Sequence, residues 1–188
     1  MTIFFSSSYR GLSKYERNYE LILRTLQEFK SIKVISPLLK SSYQPLVEAV
    51  LHRDLSTKDR YEEYQAMRQA IRAADAVIFE VTQESFQIGY ETTFALSEKK
   101  PVLCLSLEED FSKRLQNDYF FGTRYSEQTL KPIIQDFLAE VRDRHLSKRF
   151  NLFLYPHQIA HLQQQGNKHG MNMSEYVRHL INQDKQAK

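Results

Sequence analysis

Cysteine is almost absent from this 188-residue chain, and long apolar runs are absent altogether. The single cysteine, Cys104, excludes a disulfide framework and a cysteine-rich zinc site. Mean hydropathy is −0.53, and no apolar run approaches the roughly 18 residues that a membrane-spanning helix needs. The first ten residues lack a basic region followed by an apolar stretch, so we expect no secretory signal. These absences predict a protein of the reducing cytoplasm without a membrane partner.

The positive charge of the chain is unevenly distributed. The formal net charge is +3, yet residues 141–188 carry eight Lys and Arg against three Asp and Glu. The first 140 residues are therefore slightly acidic, and five of the six histidines also lie in the basic tail. This asymmetry predicts two modules with different partners, which we place at residues 1–146 and 147–188.

Strand patterns and helix patterns alternate through the first 146 residues. Apolar residues at spacings of three and four predict helices at 15–30, 46–51, 59–74, 90–99 and 130–146. This alternation predicts βαβ units in a three-layer α/β domain with a parallel sheet. The strands are predicted from short apolar runs at 2–6, 32–37, 75–80 and 101–105, with a weaker one near 119–125.

The pattern changes near residue 148. Residues 149–156 predict a strand, and helical spacing follows at 157–169 and 174–183. Asn172, followed three residues later by Glu175, has the spacing of a capping box at the start of the last helix. One strand and two short helices cannot enclose a core alone, so this tail needs a partner surface.

Three polar segments follow predicted strands, where the ligands of α/β sheets bind. The turn at residues 6–11 offers hydroxyls, backbone N–H groups and the Arg10 guanidinium, which together suit a phosphate. No Gly-Lys-Ser/Thr follows it, so it is not a Walker loop, and an ordinary turn is the plainer explanation. The other two segments are residues 82–91 and 106–110.

Glu91 is the candidate nucleophile in the second of these segments. Gly89 is predicted to let the chain turn tightly, which places Glu91 in the first turn of the next helix. The backbone dipoles of a helix N-terminus would hold its carboxylate ionised and available for attack. The alternative is a glutamate that only completes a helix start.

Residues 80–91, Glu-Val-Thr-Gln-Glu-Ser-Phe-Gln-Ile-Gly-Tyr-Glu, resemble the signature of 2′-deoxynucleoside 5′-monophosphate N-glycosidases, relatives of nucleoside 2-deoxyribosyltransferases. The turn at residues 7–11, Ser-Ser-Tyr-Arg-Gly, resembles their phosphate loop. The resemblance covers roughly residues 2–140. It implies a flavodoxin-like (Rossmann-type) sheet with helices on both faces, a homodimer, and no cofactor. It also implies that a nucleotide or nucleoside binds and that Glu91 attacks the anomeric C1′, so that the base departs. Water then releases the sugar, or a second base accepts it.

The resemblance also assigns site residues, and four positions depart from the family. In the phosphate loop Ser7 stands for a glycine-like element, and Leu115 stands where a phosphate-binding serine contributed across the dimer is expected. Met67 stands where the family has an aspartate that assists the leaving base, and Glu63, four residues earlier on the same helix face, is the candidate substitute. Phe4 stands where the family has a tyrosine. These departures leave open a nucleotide-sensing domain without turnover, or cleavage of a dinucleotide such as NAD, as in TIR-type domains. By the same resemblance Ser8, Arg10 and Ser85 hold the 5′-phosphate, and Gly89 shapes the loop. The residues assigned to the substrate or its phosphate are together Ser7, Ser8, Tyr9, Arg10, Gly11, Ser85 and Gly89.

The tail resembles a ribbon-helix-helix module, mainly through the run Ser-Glu-Tyr-Val-Arg at residues 174–178. In that family, strands from two chains pair, and their outward side chains enter the major groove of DNA. Arg and Asn read base edges well, whereas an outward phenylalanine favours a protein contact. DNA binding therefore stays open beside the alternative, which is dimerisation or packing on the first module without DNA. DNA binding is the basis of an alternative function as a regulator. Inward residues of the strand are Phe150, Leu152 and Leu154, and outward residues are Arg149, Asn151 and Phe153.

Two further features have plain explanations. His157 and His161 are four residues apart, as metal ligands on a helix often are, but no third ligand accompanies them, and we predict no metal site. Cys104 lies inside an apolar strand, so we expect it to be a core residue rather than a reactive thiol.

Overall fold

The chain divides into two units, Met1–His145 and Leu146–Lys188. A computed structural model describes residues 1–39, 56–115, 117–143 and 150–186, with the backbone alone described at positions 57, 60 and 186. The helix predicted at 46–51 lies outside the described residues.

The first unit is built on a five-stranded parallel sheet with the order β2-β1-β3-β4-β5. This is the doubly wound order of flavodoxin-like sheets, and it confirms the predicted α/β class. In chain order the elements are β1 (Thr2–Ser7), a 3₁₀ turn (Tyr9–Gly11), α1 (Leu12–Gln27), β2 (Lys33–Ile35), a second 3₁₀ turn (Pro37–Leu39), α2 (Thr57–Ala73), β3 (Ala76–Glu80), α3 (Phe86–Ser97), β4 (Val102–Ser106), β5 (Phe120–Arg124) and α4 (Leu130–Asp143).

The two faces of the sheet bury separate apolar cores. Successive side chains of a strand point to opposite faces, so Phe5 packs with residues of α1 and α4, while Phe4 packs with residues of α2 and α3. On the second face the rings of Phe4 and Phe79 meet edge to face at 6.3 Å. Cys104 is buried in the same core, and burial raises the pKa of its thiol to about 12, which confirms a core residue.

The strand order reverses between β1 and β3, and this reversal fixes where a ligand can bind. The chain leaves β1 toward β2 on one side and returns to β3 on the other, which opens a crevice above the carboxyl ends of β1 and β3. The register pairs Ser7 with Glu80 at this edge. The turn after β1 and the loop at residues 81–85 therefore flank the crevice.

Helix α3 begins at Phe86, four residues earlier than predicted, with Ser85 as its N-cap residue. Gly89 consequently lies inside the helix and forms no tight turn; among the described glycines only Gly170 has a positive φ. The prediction of a turn at Gly89 is therefore wrong. A single glycine costs a helix only about 1 kcal/mol, which burial of the neighbouring Ile88 offsets.

The second unit contains two helices, α5 (Pro156–Lys168) and α6 (Met173–Gln186). The capping box is confirmed, because the Glu175 N–H donates to Asn172 Oδ1 at 3.0 Å and the Asn172 N–H donates to Glu175 Oε2 at 2.9 Å. The strand predicted over 149–156 is not formed: residues 150–155 have no regular structure in this single chain. An isolated extended segment has no neighbouring strand to accept its backbone hydrogen bonds.

None of the helices in the described parts of the chain combines the length and the apolar character needed to cross a bilayer.

Candidate functional site

Unpartnered polar atoms concentrate at the carboxyl edge of the sheet. In the described parts of the chain, the buried side-chain atoms without a hydrogen-bond partner include the hydroxyls of Ser6, Ser7 and Ser8 and one carboxylate oxygen each of Glu80 and Glu91. Buried polar groups in proteins are nearly always hydrogen-bonded. The clustering of these exceptions along one edge indicates where a polar ligand binds.

Glu91 lies in the second turn of α3 and is 1% exposed. Its Oε1 accepts a hydrogen bond from Gln87 Nε2 at 2.7 Å, and its Oε2 is unpartnered. The pKa of Glu91 is raised to about 7, mainly by burial and also by the Glu63 carboxylate, against the Gln87 and Ser6 side chains, which lower it. The expectation of a first-turn carboxylate held ionised by helix dipoles is therefore wrong. Glu91 lies in the second turn, and burial raises its pKa by more than helix dipoles lower it. Near neutral pH both the ionised and the protonated form of Glu91 are present.

Glu63, on α2, is the second carboxylate of the site. The buried Tyr9 hydroxyl donates to Glu63 Oε1 at 3.2 Å, and the Glu63 carboxylate raises the pKa of Glu91. The structure thus brings together a turn after β1, helix α2 and helix α3. Met67, one helical turn after Glu63, packs against the apolar core that contains Phe4, so that position offers no proton carrier.

The 3₁₀ turn after β1 is held tightly against its surroundings at Gly11. The Ser8 carbonyl accepts the Gly11 N–H at 3.0 Å and the Tyr19 hydroxyl at 3.4 Å. A Cβ on Gly11 would lie 2.1 Å from the Tyr19 hydroxyl oxygen and 2.9 Å from Gln83 Cβ. Glycine is therefore required here by the close approach of α1 and the 81–85 loop, while the Arg10 side chain next to it is exposed.

The other two residues assigned to the phosphate lie at the start of α3. The Ser85 side chain makes no capping hydrogen bond to the helix that it precedes. A Cβ on Gly89 would meet nothing within 4 Å, so the space beside that turn of the helix is open. The structure places these two residues at the same edge as the turn after β1, whereas Tyr9 turns its hydroxyl to Glu63.

Sequence reasoning missed an aromatic and basic group that α2 and α3 form together. Tyr90 donates a hydrogen bond to the hydroxyl of Tyr64, and their ring centroids are 5.3 Å apart. Arg68 Nη1 donates to the same Tyr64 hydroxyl at 3.2 Å, and its guanidinium lies 4.6 Å from the centroid of the Phe94 ring. The sequence offered one signal for this group: Tyr64 directly follows Glu63, and Tyr90 directly precedes Glu91.

The tail residues singled out in the sequence are mostly exposed. Asn151 is exposed, Phe153 is 100% exposed, and Arg149 lies outside the described residues. Two of the three predicted inward residues are also exposed, Phe150 at 83% and Leu152 at 56%. A cavity of about 450 Å³ within this unit is lined by Leu152, Leu154, His157, Gln158, His161, Leu162 and Val177.

In the portions of the chain that the structure describes, no group of three or more His, Cys, Asp and Glu side chains is placed to hold a metal ion.

Comparison with known proteins identifies relatives of the chain. No protein-family model matches it. A Syntrophotalea carbinolica protein named 2′-deoxynucleoside 5′-phosphate N-hydrolase 1 is 35% identical over 145 residues, covering 74% of this chain and 96% of that protein. The 5-hydroxymethyl-dUMP N-hydrolase of Tetraodon nigroviridis is 26% identical over 147 residues, covering 74% and 98%. A solved CMP N-glycosidase of Clostridium botulinum matches with a TM-score of 0.45 and 16% identity, over 72% of this chain and 99% of its own. By its similarity to the first of these along nearly the whole relative, the chain belongs to the 2′-deoxynucleoside 5′-phosphate N-hydrolase family.

Proposed function

We propose that the first unit cleaves the N-glycosidic bond of a nucleoside 5′-monophosphate and that Glu91 is the nucleophile. The observation that carries the proposal is the buried Glu91 carboxylate, which presents an unpartnered oxygen at the ligand edge of the sheet with a second carboxylate, Glu63, within electrostatic reach. Paired carboxylates are the usual machinery of retaining glycosyl transfer. Membership of an N-hydrolase family supports the same reaction class.

In the first step, Glu91 attacks C1′ and forms a C1′–O bond as the C1′–N bond breaks. The electron pair of the broken bond leaves with the base. In the reactive state Glu91 is ionised and Glu63, hydrogen-bonded to Tyr9, carries a proton, which it transfers to the departing base. In the second step Glu63 takes a proton from water, the water oxygen bonds to C1′, and Glu91 leaves as a carboxylate. The products are the free base and the sugar phosphate, and the enzyme returns to its starting protonation state.

The turn after β1 and the start of α3 provide the phosphate subsite in this proposal. The Ser7 and Ser8 hydroxyls are buried and unpartnered, and the exposed Arg10 guanidinium supplies a positive charge beside them. Hydroxyls and a guanidinium form strong hydrogen bonds with phosphate oxygens. Ser85 completes the subsite, and Gly89 leaves room for the ligand beside α3.

The proposal is tested by incubating the chain with a panel of purine and pyrimidine deoxynucleoside and ribonucleoside monophosphates, and with NAD, followed by chromatography of the free bases. We expect base release from at least one monophosphate and none with Glu91→Ala. Base release from NAD alone would show that the substrate is a dinucleotide rather than a monophosphate. Release from no compound above the blank would contradict the proposed reaction. Glu84→Gln, an exposed change in the same loop, is the matched control.

For the tail we propose a dimeric ribbon-helix-helix module that binds DNA, which would make the chain a nucleotide-responsive regulator. Two observations support this second proposal. The second of two consecutive helices begins with a complete capping box, and the segment at 150–155 that precedes them exposes apolar side chains. DNA binding should weaken steeply with salt, because phosphate contacts release counterions. If Arg149→Ala and Asn151→Ala leave the DNA affinity unchanged, the module does not read DNA. A monomer in sedimentation velocity would exclude the dimer.

A further inference from the structure

Glu80 is a fully buried carboxylate that the proposed reaction does not use. It is the last residue of β3, whose other four residues are apolar and equally buried. Removing a carboxylate from water costs several kcal/mol unless hydrogen bonds compensate. A buried glutamate at the end of such a strand therefore needs a specific set of partners.

The partners of Glu80 come from two other positions at the carboxyl edge. Its Oε1 accepts hydrogen bonds from the Thr82 hydroxyl and, at 3.3 Å, from the Tyr125 hydroxyl. The Thr82 hydroxyl oxygen in turn accepts the Leu107 N–H at 2.9 Å. Thr82, Leu107 and Tyr125 belong to the segments that follow β3, β4 and β5. One carboxylate oxygen thus joins three successive loops at the ligand edge.

The loop that Glu80 holds carries one part of the proposed phosphate subsite and packs against the other. Residues 81–85 end at Ser85, and within them Gln83 packs closely against Gly11, with its Cβ 2.9 Å from where a Gly11 Cβ would lie. Ser7, which is in the same subsite, is the register partner of Glu80 in β1. A shift of this loop would therefore move Ser85 and loosen the turn that carries Arg10.

We propose that Glu80 is a positioning residue for the substrate's 5′-phosphate, acting through its hydrogen bonds to Thr82 and Tyr125. The inference rests on the proposed function for the identity of the ligand. In this proposal Glu80 acts through Oε1, which accepts the two hydroxyls, while Oε2 makes no hydrogen bond. The accepting oxygen matters rather than the negative charge. Burial raises the pKa of Glu80 to about 7, with the Glu108 carboxylate raising it and both hydroxyl donors lowering it, so the residue is partly neutral at physiological pH.

The test compares Glu80→Leu, which removes the acceptor, with Glu80→Gln, which keeps an accepting oxygen in the same place. Turnover of the preferred monophosphate is measured beside that of the corresponding nucleoside, which lacks the phosphate. We expect Glu80→Leu to raise KM for the monophosphate about tenfold, as the loss of one to two net hydrogen bonds implies, with kcat within about threefold. Glu80→Gln should recover most of that affinity, and turnover of the nucleoside should respond to neither change.

Equal losses with the monophosphate and the nucleoside would show general damage to the fold and overturn the inference. So would unchanged kinetics in the Glu80→Leu variant, or a Glu80→Gln variant as impaired as Glu80→Leu. If Glu80→Leu fails to fold, Thr82→Val and Tyr125→Phe each remove a single donor and should raise the same KM by a smaller factor. Tyr61→Phe, an exposed position on α2, is their control.

A separate measurement distinguishes failure of this inference from failure of the proposed function. If the wild-type chain releases no base, calorimetry measures the binding of the same monophosphates and of inorganic phosphate. Binding that weakens about tenfold in Glu80→Leu and recovers in Glu80→Gln supports the positioning role without turnover. Binding that is equal in all variants, or absent in the wild type, overturns it.

Discussion

Replacing Glu91 with glutamine should abolish base release and, above pH 7, make the fold more stable. The pKa of Glu91 is about 7 in the folded chain against an ordinary 4.5, because the side chain is buried. The unfolded chain therefore releases this proton more readily than the folded chain. The stability that protonated Glu91 provides is fully present below pH 4.5 and is lost as the pH rises through about 7.

The magnitude follows from the same pKa difference. At about 1.4 kcal/mol for each pKa unit, ionising Glu91 costs the folded chain up to about 3 kcal/mol at pH 8.5. Glutamine keeps the accepting oxygen for Gln87 and never ionises, so Glu91→Gln avoids this cost. For a chain of this size, the gain corresponds to a rise in Tm of roughly 6–12 °C.

Thermal unfolding of both chains at pH 5.0 and pH 8.5 measures the effect. We expect Glu91→Gln to exceed the wild type clearly at pH 8.5 and to differ little at pH 5.0, where the wild-type carboxyl is protonated. Glu84→Gln, an exposed change nearby, should alter neither value. If the Glu91→Gln chain is no more stable at pH 8.5, or gains equally at both pH values, ionisation of a buried Glu91 is not the cause.

Three further outcomes follow from the site and the tail. Because Glu91 must be ionised to attack while Glu63 must keep its proton for the departing base, kcat/KM should rise with pH through about 7 and fall again at higher pH; a rise completed below pH 6 would contradict the raised pKa of Glu91. Gly11→Ala should weaken monophosphate binding in calorimetry at least tenfold, since its methyl group would lie 2.1 Å from the Tyr19 hydroxyl. Adding Tyr19→Phe should recover part of that loss, and no recovery would place the conflict elsewhere. Asn172→Ala should lower the free energy of unfolding of the tail by about 1 kcal/mol in denaturant titrations. Asn172→Ser should retain most of that stability, because serine also caps helices. Equal losses in the two variants would show that Asn172 does not stabilise the tail by capping.

The three central strands of the sheet, β1, β3 and β4, were predictable from the sequence because they are buried on both faces. A continuous apolar run such as residues 76–79 is typical of a strand buried in a parallel sheet. All five predicted strands of the first unit form. The start of α3 was not readable. Gly89 resembles a helix-breaking signal, yet helix formation there depends on burial of Ile88, which is decided by packing. An error of four residues in the helix start then placed Glu91 in the wrong turn.

The chemistry of the site was only partly readable for the same reason. Glu91 and Glu63 were identified from motif and helix spacing, but the raised pKa of Glu91 depends on burial, which spacing along the sequence does not reveal. The Tyr9 hydroxyl reaches Glu63 across 54 residues of sequence. Glu80 is the clearest example of a site residue that the sequence does not reveal. Its proposed role depends on hydroxyls contributed by Thr82 and by Tyr125, which is distant in the sequence.

In the proposed reaction, the acid that the resemblance places at position 67, where this chain has Met67, moves to Glu63. Helix α2 leads into β3 and runs antiparallel to the strands, so Glu63 lies one helical turn, about 6 Å, nearer the ligand edge than Met67. Met67 joins the apolar core, whereas Glu63 receives a hydrogen bond from Tyr9 and interacts with the charge of Glu91. A proton delivered from this higher position approaches the base at a different point from one delivered at position 67. In the proposed reaction, the atom of the base that can accept the proton therefore changes, and the preferred base of this chain need not follow that of its relatives.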